Sequence, residues 1–522
     1  MNGDTLEQQA LKFIGEAETD RDYHKPWLTD VYRYCLPWRR RPGNHQQVND
    51  QDDLFDATAI EALSDFAADM QITFTPIEDD WLDVEAAENL SVADAAQIAP
   101  QLAAYQDAVF GEIRRSNFHE ASQEAYPDLG TGTCAMFVQD FDLTAPLQCQ
   151  AVPITDLLIV RGCYGGVDFK AREIPAMKLR DLAPTYPRAA LTPDLVQRAE
   201  SDPGSTVCVH ECYWRLWDRK SIERWQYVLL IDRKQADAAV LEGAGCCPLI
   251  VARWRTDSTT AWGVGPLYVV LPTIKTLDQL QYLVLKNLSF AVDPAGLFDD
   301  DGTINLENGV NPGDWIPRQV GSKADVLRSE SDFDTTFFER SAMQSDIKRA
   351  LFQDNPSQSG DTPPTASQWM DEKAEVARRM GAPFGRLTSE WQIALFQRFA
   401  YLGERRGDLP KVNLKGGAIR LRPQSPLVRA QRMQKVSTAS QLLGAGNQLL
   451  GEQTMQVSVD GGATLRALQK ALGDELVVLR SPEDQKALIA QAAQAAQAAG
   501  VIPQSPQQQG APPPAVPTQQ AA

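Results

Sequence analysis

Residues 272–290 read PTIKTLDQLQYLVLKNLSF, and the spacing of Ile274, Leu277, Leu280, Val284 and Leu288 predicts a long amphipathic helix. Lys275, Gln279, Tyr282 and Lys286 recur on the opposite side, a polar stripe about 16 Å long at 1.5 Å per residue. Asp293-Pro294-Ala295-Gly296 stops this helix and opens a small β-rich insert carrying Asp299, Asp300, Asp301, Gly302, Asn311-Pro312-Gly313-Asp314 and Trp315. A second helix is expected over 336–352, with Met343, Ile347 and Leu351 on one side and Ser341, Ser345 and Lys348 on the other. The next segment, QDNPSQSGDTPP at 353–364, is too rich in turn formers for regular structure. Thr365 then caps a very long helical tract, with Gln368 at the capping-box position, a kink near Pro383 and an end at Arg406.

Working outward, Thr5 to about Arg41 has helical spacing (Leu11, Ile14, Trp27, Val31, Tyr34) and stops at Leu36-Pro37-Trp38 before the basic run Arg39 to Arg41. Those arginines could touch phosphate, but in an acidic chain a solvated patch or a contact to an acidic neighbouring subunit is the plainer reading. Helices are expected over 54–70 and 102–115, with Thr75-Pro76 turning the first into a strand at Trp81 to Val84. Ser116-Asn117 suits the cap of a further helix ending near Leu129, before the turn Gly130 to Thr133 and an apolar strand, Cys134 to Val138. Residues 146–256 read as short strands and turns. A short strand at 418–421 and further helices from Pro426 follow, and residues 491–522 form a Gln/Ala/Pro tail whose last half cannot fold. The fold class is therefore mixed α/β, mainly α.

The 522 residues leave room for two to four packing units. A net charge of −19 is the wrong sign for a protein that grips nucleic acid by neutralising phosphates, although an acidic wall suits a conduit through which DNA slides. There is no run of 18 apolar residues and no basic-then-apolar amino terminus, so the expectation is a protein made in the cytosol, without a membrane span and with its eight cysteines reduced. Period two would put Cys208, His210 and Cys212 on one strand face, which with Cys246 and Cys247 could seed a zinc site; without a C-x-x-C pair, a half-buried strand explains the alternation as well, and no metal or cofactor is expected. The acidic triplet fails as a calcium loop, because Leu297 and Asn308 fall where carboxylates are needed. The Gly130 to Thr133 turn lacks the lysine and following helix of a phosphate loop.

The order of parts, an α/β region, a long helix, a β insert, a second helix, a polar loop, a longer helix and a helical end, resembles the portal proteins of tailed phages, and more narrowly the head-to-tail connectors of short-tailed phages. The likeness rests on strings shared in order over residues 20–430: Leu54 to Ala59 with Thr75-Pro76 and Trp81; Ser116 to His119 with Asp128 to Gly132; Arg253-Trp254 with Trp262 to Pro266; Thr365-Ala366; Gly385-Arg386-Leu387 with Glu390; and Ser425-Pro426-Leu427. Trp262 departs from the family's usual tyrosine. The resemblance implies a ring of about twelve subunits. It assigns 1–270 and 365–425 to a wing, 271–291 and 336–352 to stem helices, 292–335 to a clip, 353–364 to a tunnel loop, 426–495 to a crown and 496–522 to a disordered tail.

It further implies a channel lined by Gln353, Asp354, Asn355, Gln358, Lys348, Lys275, Gln279 and Lys286, and a clip presenting Asp299, Asp300, Asp301 and Trp315 to partners. Double-stranded DNA, the terminase large subunit, tail adaptors and the major capsid and scaffolding proteins are the partners expected, and the portal vertex of the virion the location. Against an enzyme stand four histidines without an H-x-x-x-H pair and no phosphate loop, G-x-S-x-G or catalytic cysteine signature. A tail adaptor or scaffold, and more remotely a metal-dependent hydrolase, are the alternatives.

Overall fold

The computed structural model describes residues 5–40, 53–86, 92–141, 145–217, 222–299, 311–318, 333–353, 381–410, 419–424 and 436–446, with single positions up to 468. They divide into two compact units, 1–431 and 432–522. In the second unit, residues 436–446 are helical.

Helix α1 (Leu6–Cys35) starts at a capping box in which Thr5 accepts from the Gln8 amide and the Gln8 side chain answers. Helix α2 (Thr58–Phe74), strand β1 (Leu82–Ala86) and helices α3 (Val92–Arg115) and α4 (Phe118–Thr131) follow. Asn117 does not cap α4. Its side chain instead exchanges hydrogen bonds of 2.9 and 2.7 Å with the backbone of Cys149, as a neighbouring strand would, and the Ser116 hydroxyl accepts from the Phe118 amide. Strands β2 (Thr133–Gln139), β3 (Gln148–Val152), β4 (Leu157–Arg161) and β5 (Val167–Lys178), short helices α5 (Leu179–Thr185) and α6 (Pro193–Ser201), and strands β6 (Thr206–Arg215), β7 (Arg224–Ile231), β8 (Lys234–Glu242) and β9 (Leu249–Arg253) realise the short-strand reading of 146–256.

Strands β4 to β8 form an antiparallel meander in sequence order, and β3-β2-β9 a smaller sheet. Period two divides the meander's residues between different cores. Ala10, Ile14 and Ala17 of α1 cover Phe169, Ala171, Cys212, Trp214 and Val228, while Leu179, Leu182 and Leu195 of α5 and α6 cover Val207, Val209, Leu229 and Ile231. The second half of α1, from Leu28 onward, enters the main core with α2, α4 and the β2 sheet.

Two residues of the basic run after α1 are not a solvated patch but pair within the chain. Arg39 pairs with the buried Asp128 at 2.6 Å and Arg40 pairs with Asp156, so both tie the end of α1 to its own chain; Arg41 lies outside the described residues. The Gly130 to Thr133 turn is likewise more than a link. The Gly132 backbone (φ +128°) abuts Gly263 and Gly265, with Gly265 N donating to Thr131 O at 3.1 Å and Trp254 N to Gly132 O at 2.8 Å. Two chain segments cross there at backbone contact, which only glycine permits.

Helix α7 (Pro266–Val292) begins six residues before the expected Pro272, because Pro266 takes the N1 position and Gly265 is held extended by its bond to Thr131. The parallel pair β10 (Gly296–Asp299) and β11 (Trp315–Arg318) follows, and then α8 (Phe333–Ala350). Helix α8 ends short of Phe352, which turns to a left-handed φ of +63° and lays its ring on Trp254. Of the expected long helical tract, 365–380 lies outside the described residues. The remainder is α9 (Gly381–Leu387), a π-helical stretch (Thr388–Ile393) and α10 (Ala394–Arg406), closed by Gly407 in the left-handed conformation. Pro383 sits inside α9, and the irregularity falls later, at the π-helical stretch. There Glu390 accepts from Arg253 at 2.6 and 3.2 Å, joining α9 and α10 to the small sheet. Strand β12 (Ile419–Pro423) pairs with β1.

His119 on α4 has neither ring nitrogen hydrogen-bonded. Burial, and then the charge of Arg114, lower its pKa below the ordinary 6.5. The unfolded chain therefore takes up this proton first as pH falls, so the stability linked to neutral His119 is present above 6.5 and lost on acidification. His119→Phe is expected to flatten the fall in thermal unfolding temperature between about pH 7 and 5, read by calorimetry.

Candidate assembly surface on the paired helices

The first half of α7 belongs to the chain's own core. Leu267, Val270, Leu271, Ile274, Leu277 and Asp278 are buried, but from Gln279 to Val292, about 21 Å of helix, no side chain is. Helix α8 packs against α7, and Ile347 and, just past its end, Leu351 enter the same main core as Ile274 and Leu277. Asp56 lies between them: its amide donates to Asp278 at 3.1 Å, and its carboxylate accepts from Gln344 at 3.2 Å. Asp56 thus bridges the middle of α7 to α8.

Their base is a polar junction with the segment leading into α2. The buried Asp278 carboxylate accepts from the amides of Phe55 (2.7 Å) and Asp56, while Gln344 also donates to Thr58 (3.1 Å). Phe55 and Tyr282 add a ring contact at 5.0 Å. A buried carboxylate satisfied by two backbone amides ties α7 to the segment leading into α2.

Beyond that base the pair presents apolar surface to solvent. Leu285, Leu288 and Val292, at spacings of three and four, are exposed, Val292 to 78%. Leu283 is exposed too, and on α8 so are Phe337 and Phe338, to 68% and 72%. The expected stripe Ile274, Leu277, Leu280, Val284, Leu288 therefore changes role along its length: the first two residues are internal, Leu280 and Val284 half-buried, and Leu288 open.

The residues singled out from sequence fall into three groups. Gln279, Lys286 and Lys348 are exposed on the helices, and Trp315 is 70% exposed on β11, its ring lying close against Gly296. Lys275 and Gln353 are engaged inside the chain: Lys275 pairs with Asp30 of α1, and Gln353 donates to Asp69 of α2 at 3.0 Å. Asp299 ends β10, and Asp300, Asp301, Asp354, Asn355 and Gln358 lie outside the described residues. Sequence reasoning missed Leu283, Leu285 and Val292; the apolar run from Leu283 to Leu285 was the available signal. Among the described residues no helix is long and apolar enough to cross a membrane.

The family model described as bacteriophage head to tail connecting protein matches residues 7–478. The chain belongs to that family. No curated protein is matched. Among solved structures, similar chains occur in the virion of a native gene transfer agent particle (11% identity, TM-score 0.40, covering 84% of this chain and 98% of the other) and in the neck of an empty gene transfer agent particle computed with C6 symmetry (13%, 0.38, 83% and 95%). A third occurs in the neck of the native particle computed with C12 symmetry (12%, 0.35, 84% and 98%).

Proposed function

We propose that this connector-family chain is a portal subunit, assembling as a closed ring of about twelve copies at one capsid vertex, through which double-stranded DNA is packaged, retained and released. The observation that carries this reading is the length of α7 beyond Asp278, where Leu283, Leu285, Leu288 and Val292 stand exposed among the described residues. In a ring, each pair of helices finds its cover on the next subunit. Residues 1–270 and 365–425 serve as wing, 271–291 and 336–352 as stem, 292–335 as clip, 353–364 as tunnel loop, 426–495 as crown and 496–522 as a disordered tail.

A ring repeats each side chain around an axis, so Lys286 and Lys348 offer weak phosphate contacts at many equivalent positions while a net charge of −19 per chain prevents a lasting grip. Lys275 and Gln353, tethered to Asp30 and Asp69, set the position of the stem and the start of the loop, and Asp354, Asn355 and Gln358 come nearest the DNA. Asp299, Asp300, Asp301 and Trp315 meet the terminase large subunit and later the tail adaptors; major capsid and scaffolding proteins surround the wing. The role is structural, and no catalytic step is assigned. Deleting 354–360 is expected to leave ring formation intact while reducing packaged or retained genome, measured as nuclease-protected DNA. Unchanged packaging and retention would remove the tunnel-loop assignment.

A further inference from the structure

The five-stranded sheet carries a cluster with no part in the connector role. Glu173 on β5 and His210 on β6 are directly paired in the antiparallel register, and Cys208 stands two residues along β6 on the same face. Its thiol sulfur lies 3.9 Å from Oε1 of Glu173 and 3.8 Å from Nδ1 of His210, and a donor atom from each residue falls within 4.8 Å of the other two. His210 is 2% exposed, and Glu173 and Cys208 are half-buried. In a tetrahedral zinc site, bonds of about 2.3 Å to sulfur and 2.0 Å to nitrogen or oxygen separate neighbouring donors by roughly 3.5 Å. The three atoms therefore need to close by only a few tenths of an ångström at the tightest pairs.

The surroundings orient these donors. Arg21 of α1 holds the other carboxylate oxygen of Glu173, Oε2, at 2.9 Å and reaches the Thr155 carbonyl at 3.0 Å, which leaves Oε1 turned toward Cys208. Burial holds the His210 pKa down; the charges of Glu173 and of Glu18, one turn earlier on α1, act the other way, and those of Arg233, bound to Glu18 at 3.3 Å, and Arg21 lower it again. The ligand set suggested by sequence spacing is not the one assembled. Cys212 is packed with Phe169 and Trp214 under α1, and Cys246 and Cys247 belong to the main core.

We infer that Glu173, Cys208 and His210 form a binding site for a zinc-class divalent cation, with the fourth position taken by water. Sulfur, imidazole and carboxylate together suit zinc better than calcium or magnesium, which take oxygen. On binding, the Cys208 S–H proton leaves to solvent, and the thiolate, the imidazole and Oε1 each donate an electron pair. The bound ion cross-links β5 to β6 beneath α1, at the point where the pairing of these strands shifts register after Ile174.

The test uses the purified full-length chain, stripped with a chelator and then given Zn2+ or Co2+. One equivalent of Zn2+ is expected to bind, Co2+ to give a thiolate-to-metal charge-transfer band, and Zn2+ to slow alkylation of Cys208 at least tenfold without protecting the exposed Cys163. Cys208→Ser should remove the cobalt band, His210→Gln and Glu173→Gln should weaken Zn2+ at least tenfold, and Cys163→Ser should change nothing. The alkylation arm needs no variant, so a substitution that fails to fold leaves the question decidable. No cobalt band in the unmodified chain, no protection of Cys208, or a band that follows Cys163 would overturn the site.

Discussion

The double substitution Leu285→Asp with Leu288→Asp is expected to convert the assembled protein into folded single chains, seen as a single late peak on a sizing column with an unchanged circular dichroism spectrum. Leu285 and Leu288 are 43% and 49% exposed in the isolated chain, so aspartate there disturbs its fold far less than at a core position. Covering the half of each that is still exposed contributes roughly 1 kcal/mol, and a buried unpaired carboxylate opposes assembly by more. Because a closed ring repeats the defect at every interface, the effect multiplies around it. Leu277→Asp supplies the contrast. That side chain is 1% exposed in the main core, so its charge should damage the fold itself and not only the assembly.

The second large effect is expected at the glycine crossing. Gly132→Val should destabilise the chain by more than about 4 kcal/mol and leave it insoluble, because a Cβ there overlaps the carbonyl of Gly263 and a β-branched residue resists φ of +128°. Relaxation offers little escape. Gly263 and Gly265 answer with backbone instead of flexible side chains, and the same crossing anchors the start of α7 through the bond from Gly265 to Thr131. Gly166→Ala, where an added methyl meets nothing within 4 Å, should be silent by the same solubility and thermal unfolding measurements.

The elements that periodicity alone describes were legible. Helices α7 and α8 follow from residues at intervals of three and four, and the meander from short apolar runs between turns. Boundaries shifted where a local signal had a rival: Pro266 and Pro272 both suit a helix start, and only the distant bond from Gly265 to Thr131 selects the first. Several functional details were hidden because their partners lie far off in sequence. Lys275 looks like a free cation until Asp30 is placed beside it, and Arg39 like a phosphate ligand until Asp128 is.

The strings carrying the family resemblance nonetheless converge in space. Arg253 bonds Glu390, Gly132 crosses Gly263 and Gly265, and Asp56 joins the bases of both long helices. Spacing could not announce those contacts, since they span 137, about 130 and over 200 residues respectively. Conversely, the division of α7 into a buried and a bare half has no sequence signature, because Leu277 and Leu288 are equally apolar. Only the end of the surrounding body distinguishes them.

The claim on which the functional reading depends is that α7 and α8 find their cover on another copy of the same chain. Electron-microscopic imaging of the purified protein, paired with a native mass, tests it most directly. The prediction is a closed ring with a central opening and a mass about twelve times the 57.6 kDa of one chain. A stable monomer that forms no ring under any assembly condition would contradict it.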